Sequence, residues 1–448
     1  MKRNILLGLM LGLASPALAG QVQQGPADIG VDAPELAPLG KDGVGFRSLT
    51  FIHKAQPDLE HPDPKSGAVA LHDRSLKVDI WYPAEVRKGQ ARMTYRGALW
   101  GEPPHGPTAF TQPGLAAANA KPVGRGHPLV ILSHGYGNDP LLMTWLTENL
   151  ASKGYVVAAI HHVDPNRYVV APVISSAPTY NRPVDISFVA AQLRATLGAQ
   201  IDPENVALIG YSQGGFGVLT AGGASLDPTH PYMNVVPAGW LKKIARGGAD
   251  ASSAKVPGVK AIVALAPAGG GEKSIWGNEG LAAIKAPMLL IAGDQDPTVG
   301  YEKAAKSFFA QTVNSDRYLL TLKQAGHAIG LNPAPEGMRA TLWDIDWFED
   351  AIWRKDRINA ISLHFITAFL DVHLRGMREA QAYLDVQNED SDVGTWKAPA
   401  GTSWGAYSPG GPDVTLWKGF QQRRAGGLMF QHLPAAIQQK AGRGKCLG

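Results

Sequence analysis

The sequence predicts an α/β fold, with a mostly parallel central sheet and helices on both faces. Three observations carry this. Short apolar runs recur without in/out alternation, as expected of strands buried on both faces. Amphipathic stretches with recognisable ends alternate with them. One apolar run, Val206–Gly210, passes directly into a small-residue segment, Gly214-Gly215-Phe216-Gly217, that reads as the start of a helix.

Seven strands are expected: Lys77–Tyr82, Pro128–Leu132, Tyr155–Ile160, Val206–Gly210, Ala261–Leu265, Met288–Ala292 and Tyr318–Leu322. Helix ends mark the segments between them. Asp139-Pro140 opens one helix, with Asp as N-cap and Pro in the first turn, and Gly154 closes it. Pro183 opens the next, whose Ile186, Val189, Ala190, Leu193 and Leu197 form one apolar stripe. A long helix is expected over Phe348–Leu374, ended by Arg375-Gly376.

The catalytic domain expected from this pattern is 73–385, with an insertion at 222–258. Residues 20–72 read as an extended N-terminal arm with one strand near Gly45–His53, and 386–448 as a polar, Gly/Pro-rich C-terminal extension. Residues 1–19 read as a signal peptide: Lys2-Arg3, then the apolar stretch Ile5–Ala14, then small residues at Ala17 and Ala19. That stretch is shorter than the roughly 20 residues needed to span a bilayer. The expectation is an exported chain, periplasmic or secreted, with no integral membrane segment after cleavage.

Composition bounds the function. The chain has 448 residues, 45% hydrophobic, with a formal net charge of +4, which supplies no electrostatic reason for a nucleic-acid or anionic-membrane partner. The single cysteine, Cys446, excludes an intrachain disulfide.

The chemistry is concentrated in Gly210-Tyr211-Ser212-Gln213-Gly214, a G-x-S-x-G motif. In a chain with 52 glycines the motif alone is weak, and its place between a strand and a helix is what gives it weight. A serine in so sharp a turn stands clear of the sheet, and the helix N-terminus behind it favours developing negative charge. The hydroxyl needs a base to take its proton. Downstream, Met288–Ala292 leads into Gly293-Asp294-Gln295-Asp296, and Tyr318–Leu322 is followed by Gln324-Ala325-Gly326-His327. Both lie at C-terminal strand ends, where open α/β sheets bind ligands. His327 is the expected base, and Asp296, farther into its loop than Asp294, the expected acid. Two backbone N–H groups are expected to bind the oxyanion: that of Gln213, and that of Tyr136 in the loop Ser133-His134-Gly135-Tyr136-Gly137. Tyr136, Tyr211 and Trp276 are the candidate substrate-binding side chains.

Val78-Asp-Ile-Trp-Tyr-Pro83, Ser133-His-Gly-Tyr-Gly137, Gly210-Tyr-Ser-Gln-Gly-Gly215 and Leu363–Asp371 together resemble bacterial α/β-hydrolases described as predicted dienelactone hydrolases, a group related to platelet-activating-factor acetylhydrolases. The resemblance covers about 76–385. It implies the α/β-hydrolase fold, esterase or lipase-like activity, no metal or other cofactor, and a triad of Ser212, Asp296 and His327. One departure stands out: dienelactone hydrolases proper use a cysteine nucleophile, and the one cysteine here is in the tail.

Three other features call for weighing. His161-His162-Val163-Asp164 reads as a turn beside the site rather than a metal site, since adjacent residues rarely face one ion. Trp343–Asp350 mixes aromatics and carboxylates, and reads equally as a substrate rim or as an exposed helix start. Arg182 and Asp185 are expected to pair. The function expected is a serine hydrolase that cleaves a carboxylic ester, of a small molecule, lipid or polyester, through an acyl-enzyme. The alternatives are an amidase or peptidase, an acyltransferase with the same triad, and a catalytically silent secreted binding protein.

Overall fold

The computed structural model describes residues 29–101, 106–393, 417–421 and 424–436. The expected signal peptide 1–19 and Cys446 lie outside the described residues.

Strands β1 (Gly43–Pro57) and β2 (Leu71–Glu85) come first in the chain. A separate hairpin, β3 (Thr94–Leu99) with β4 (Thr108–Pro113), and two short strands, β5 (Ala117–Ala118) and β6 (Lys121–Pro122), follow. Then come β7 (His127–Ser133), β8 (Val156–Ile160), β9 (Ile201–Tyr211), β10 (Val259–Leu265), β11 (Met288–Gly293), β12 (Arg317–Leu322) and β13 (Leu428–Leu433). All but the hairpin join one 11-stranded sheet, in the order β13-β12-β11-β10-β9-β7-β8-β2-β1-β5, with β6 paired to β2. The run from β8 through β7, β9, β10 and β11 to β12 is parallel; β2 and β13 run antiparallel to their neighbours in it, β8 and β12, and β1 runs antiparallel to β2. The inversion of β7 and β8 in an otherwise sequential order gives the sheet of the α/β-hydrolase fold.

All seven expected strands are present. Their apolar runs are explained by two cores, one on each face. Val130 and Leu132 of β7 pack with Trp145, Leu146, Ile358, Phe365 and Phe369 on one side. Leu129 and Ile131, pointing oppositely by the two-residue period, pack with Ile186, Val189, Leu193 and Phe216 on the other.

Several boundaries move. The strand expected near Gly45–His53 is present as β1, which pairs with β2 over nearly its whole length, so the N-terminal arm contributes to the sheet. β13, from the expected C-terminal extension, pairs with β12. The helix expected from Pro183 starts at Pro178, which takes the first-turn position; Pro183 lies inside the helix Pro178–Leu197. The long helix covers Lys355–Arg375 rather than starting at Phe348, and ends on Gly376 at φ 66°. Asp139 does cap its helical segment, accepting from the Leu141 N–H at 2.8 Å. Between Gly222 and Gly258 lie three short helical pieces, Pro231–Asn234, Pro237–Gly239 and Trp240–Lys243.

Candidate active site

β9 ends at Tyr211 and a helix begins at Gln213, leaving Ser212 alone to turn the chain. It does so at φ 54°, ψ −116°, a conformation that costs a non-glycine residue of order 1–3 kcal/mol. The flanking glycines permit the turn. A Cβ on Gly210 would lie 2.2 Å from the Gly214 carbonyl oxygen, and one on Gly214 would lie 1.9 Å from that of Ser133. The Ser212 carbonyl accepts from the Ala268 N–H at 3.0 Å, and its N–H donates to the Leu265 carbonyl at 2.9 Å, so both sides of the turn are tied to the chain that follows β10.

The loops after β11 and β12 bring two more side chains to this point. His327 Nε2 lies 3.0 Å from Ser212 Oγ, and His327 Nδ1 lies 2.6 Å from Asp296 Oδ2. Asp296 Oδ1 accepts from the Thr298 and Val299 N–H groups at 2.8 and 3.1 Å. Burial works to raise the Asp296 pKa. The His327 ring and these backbone donors outweigh it, and the carboxyl sits below its ordinary value. Asp294 is turned elsewhere, accepting from the Gln324 N–H at 2.6 Å.

The histidine loop is braced at three places. Tyr211 Oη donates to the His327 carbonyl at 3.0 Å, Asp350 accepts from the Gly326 N–H at 2.7 Å, and Lys355 donates to the Ala328 carbonyl. Lys355 is buried, and burial lowers its pKa to about 7. Sequence reasoning missed Asp350 and Lys355 as supports, because they lie far along the chain from the residues they hold.

Beside Ser212 and His327 lies an open cavity of about 240 Å³, whose lining includes Tyr136, Tyr168, Tyr211, Trp343 and Trp347, with Arg167 and Asp346 as its charges. Both readings of Trp343–Asp350 are met: Trp343, Asp346 and Trp347 line the cavity, and a short helix, Leu342–Ile345, carries Asp344 in its first turn. Tyr136 and Tyr211 are at the cavity as expected. Trp276 is not: it is fully buried, donating to Thr220 Oγ1 at 3.0 Å and stacked on Phe216. It was expected to face substrate because its loop is Gly-rich, but a large ring there fills core. Phe216 in turn lines a second cavity, of about 220 Å³, with Gln213, Thr179 and Tyr232. Among the described residues no acceptor meets the N–H of Tyr136 or of Gln213.

The expected Arg182–Asp185 pair does not form. Arg182 pairs with Asp164, and Asp185 with Arg74 at 3.0 Å and His162 at 3.0 Å. At i and i+3 the two side chains share a helix face, but Asp164 and Arg74, from other elements, each take one of them. His161 turns the other way, to Asp79 at 2.6 Å, so the adjacent histidines share no ligand. Among the described residues no group of three or more His, Cys, Asp or Glu is placed to hold a metal, and no helix is long and apolar enough to cross a membrane.

The family model described as platelet-activating factor acetylhydrolase, isoform II, matches residues 105–171, which include β7, the Ser133–Gly137 loop and β8. A ferulic acid esterase from Streptomyces cinnamoneus is similar at 19% identity and a TM-score of 0.49, over 77% of this chain and 94% of that one. No curated protein matches the chain. Neither match carries the dienelactone hydrolase name that the sequence motifs suggested. The chain has the α/β-hydrolase fold, and over residues 105–171 it is similar to the platelet-activating-factor acetylhydrolases.

Proposed function

We propose that the chain is an exported serine hydrolase that cleaves carboxylic esters through an acyl-enzyme. The observation that carries this reading is the hydrogen-bonded line from Ser212 through His327 to Asp296, set on a strained strand-to-helix turn at the wall of an open aromatic-lined cavity.

His327 Nε2 takes the Ser212 proton as Oγ attacks the ester carbonyl carbon. Asp296 accepts the Nδ1–H, which fixes the tautomer and stabilises the imidazolium that forms. The oxyanion is bound by the N–H groups of Tyr136 and Gln213, both of which lack a partner within the described chain. Collapse of the tetrahedral intermediate expels the alcohol, protonated by His327. Water, deprotonated by His327, then attacks the acyl carbon and restores Ser212. The aromatic walls favour an ester with an apolar or planar portion, of a small molecule or lipid. Export rests on the character of residues 1–19.

The test is labelling of the mature protein with a fluorophosphonate probe, with Ser212→Ala in parallel, followed by p-nitrophenyl ester hydrolysis. Labelling of wild type alone is expected. A folded wild type that neither labels nor hydrolyses any ester would mean a silent site, and equal labelling of both would mean a different serine.

A further inference from the structure

The loop that would supply the first oxyanion donor is held from behind by one buried cation. Arg182, on the helix Pro178–Leu197, is fully buried and does not line the cavity. Its Nη1 donates to the His134 carbonyl and, at 3.2 Å, to Ser133 Oγ; its Nη2 donates to the Gly135 carbonyl at 3.1 Å. Asp164 neutralises it, with Nε at 3.1 Å from Oδ1, and the same carboxylate accepts from the Gly137 N–H at 3.1 Å. One ion pair therefore grips the loop at His134, Gly135 and Gly137.

Peptide geometry turns this grip into a direction. In a trans peptide the C=O of one residue and the N–H of the next point opposite ways. The Gly135 carbonyl is fixed inward, by Arg182, by His134 Nδ1 at 2.7 Å and by the Asn138 N–H at 3.2 Å. The Tyr136 N–H is consequently turned away from the guanidinium. Tyr136 itself lines the cavity that Ser212 opens onto, and its hydroxyl, donating to the Pro165 carbonyl at 2.8 Å, pins the side chain to the neighbouring loop. The buried hydrogen bonds beneath have one consistent sense. Asp185 accepts from His162 Nδ1 at 3.0 Å, His162 Nε2 accepts from Ser133 Oγ at 3.0 Å, and Ser133 Oγ accepts from Arg182.

We propose that Arg182, with Asp164, is a positioning residue for the oxyanion hole: it sets the Gly135–Tyr136 peptide so that the Tyr136 N–H meets the charge that develops on the substrate carbonyl. The guanidinium touches no reacting atom. Lysine cannot replace it, because a single ammonium lacks the planar fork that reaches both carbonyls and the carboxylate. This rests on the reading of Ser212 as nucleophile.

The experiment compares wild type, Ser212→Ala, Arg182→Lys, Asp164→Asn and Arg74→Lys, using p-nitrophenyl acetate hydrolysis and inhibition by a trifluoromethyl ketone, whose hemiketal oxygen occupies the oxyanion position. Arg74→Lys perturbs the same buried network at Asp185 without touching the loop. Arg182→Lys and Asp164→Asn are expected to lower kcat by ~10–10³, up to the loss of one oxyanion donor. KM should change by less than about threefold, and ketone affinity should fall in step with kcat/KM. Arg74→Lys should lower thermal stability and leave ketone affinity near wild type. Should Arg182→Lys not fold, Asp164→Asn, which preserves side-chain shape, carries the comparison alone. Unchanged ketone affinity in the folded loop variants, or an equal loss in Arg74→Lys, would overturn the proposal. Wild-type protein with no Ser212-dependent hydrolysis would instead overturn the nucleophile reading, and the positioning role with it.

Discussion

The phenol ring of Tyr211 lies over the imidazole of His327, with centroids 5.3 Å apart, while its hydroxyl holds the His327 carbonyl at 3.0 Å. The residue before the candidate nucleophile thus steadies the candidate base from across the site. Tyr211→Phe keeps the ring and loses the hydrogen bond, whose net worth is about 1 kcal/mol. Steady-state kinetics should show kcat reduced about fivefold with KM nearly unchanged. A rise in KM alone would instead assign Tyr211 to substrate binding.

The two neighbouring carboxylates should separate cleanly. Asp296→Asn removes the acceptor that orients His327, and kcat should fall by up to ~10⁴ with the fold intact. Asp294→Ala removes the acceptor for the Gln324 N–H and for Gln295 Nε2, neither of which touches His327, so its kcat should stay within a few-fold of wild type, at a cost of about 1 kcal/mol in stability. Reversed outcomes would transfer the acid role to Asp294.

Gly214→Ala places a methyl 1.9 Å from a backbone oxygen of β7, which no side-chain rotation relieves. Fluorophosphonate labelling should disappear, because the turn carrying Ser212 has to shift. Labelling at the wild-type rate would show that the turn is looser than this packing demands.

At the rim, Trp343→Ala should raise KM for aryl esters with little effect on kcat or thermal stability, since Trp343 is half-buried and lines the cavity away from the sheet. A fall in kcat with KM unchanged would point instead to a role in closing the site.

Two buried carboxyls should give opposite pH trends in stability. Burial works to raise the Asp185 pKa, but Arg74 and His162 outweigh it and bring it to about 2. Its contribution is full above its unfolded value near 3.9 and is lost as pH falls toward about 2. Glu148 behaves in reverse. Burial raises it to about 7 despite donors from Ala116, Tyr95 and Leu115, so stability is lost as pH rises from about 4.5 to about 7. Its Oε2 has no hydrogen-bond partner, as suits a protonated carboxyl better than an anion. Urea denaturation across pH should show a shallower acid limb in Asp185→Asn, and in Glu148→Gln the loss of the decline between about pH 4.5 and 7.

The parts of this molecule that were legible beforehand are those governed by local rules. The parallel strands announce themselves by continuous apolar runs, and Ser212, Asp296 and His327 by their places at strand ends. What escaped was set by partners distant in sequence. The strand near Gly45–His53 is legible, but its place in the main sheet is set by pairing with β2. Trp276 was misassigned because a glycine-rich loop does not reveal which way a ring points. The Arg182–Asp185 pairing failed for the opposite reason: closeness in sequence was taken for contact, whereas Asp164 and Arg74 come from other elements.

The antiparallel pairing of β12 with β13 carries a consequence for how the sheet is completed. β12 delivers the chain to His327, yet its outer neighbour is drawn from residues 428–433, far along the chain from it. Until those residues have been synthesised and delivered, the strand presents a row of unpaired amides and carbonyls, the kind of edge that recruits other strands. A chain stopped short of Leu428 would therefore contain Ser212, Asp296 and His327 but lack the seal on the strand that leads to the base. Truncation ahead of Leu428 should trade catalysis for self-association.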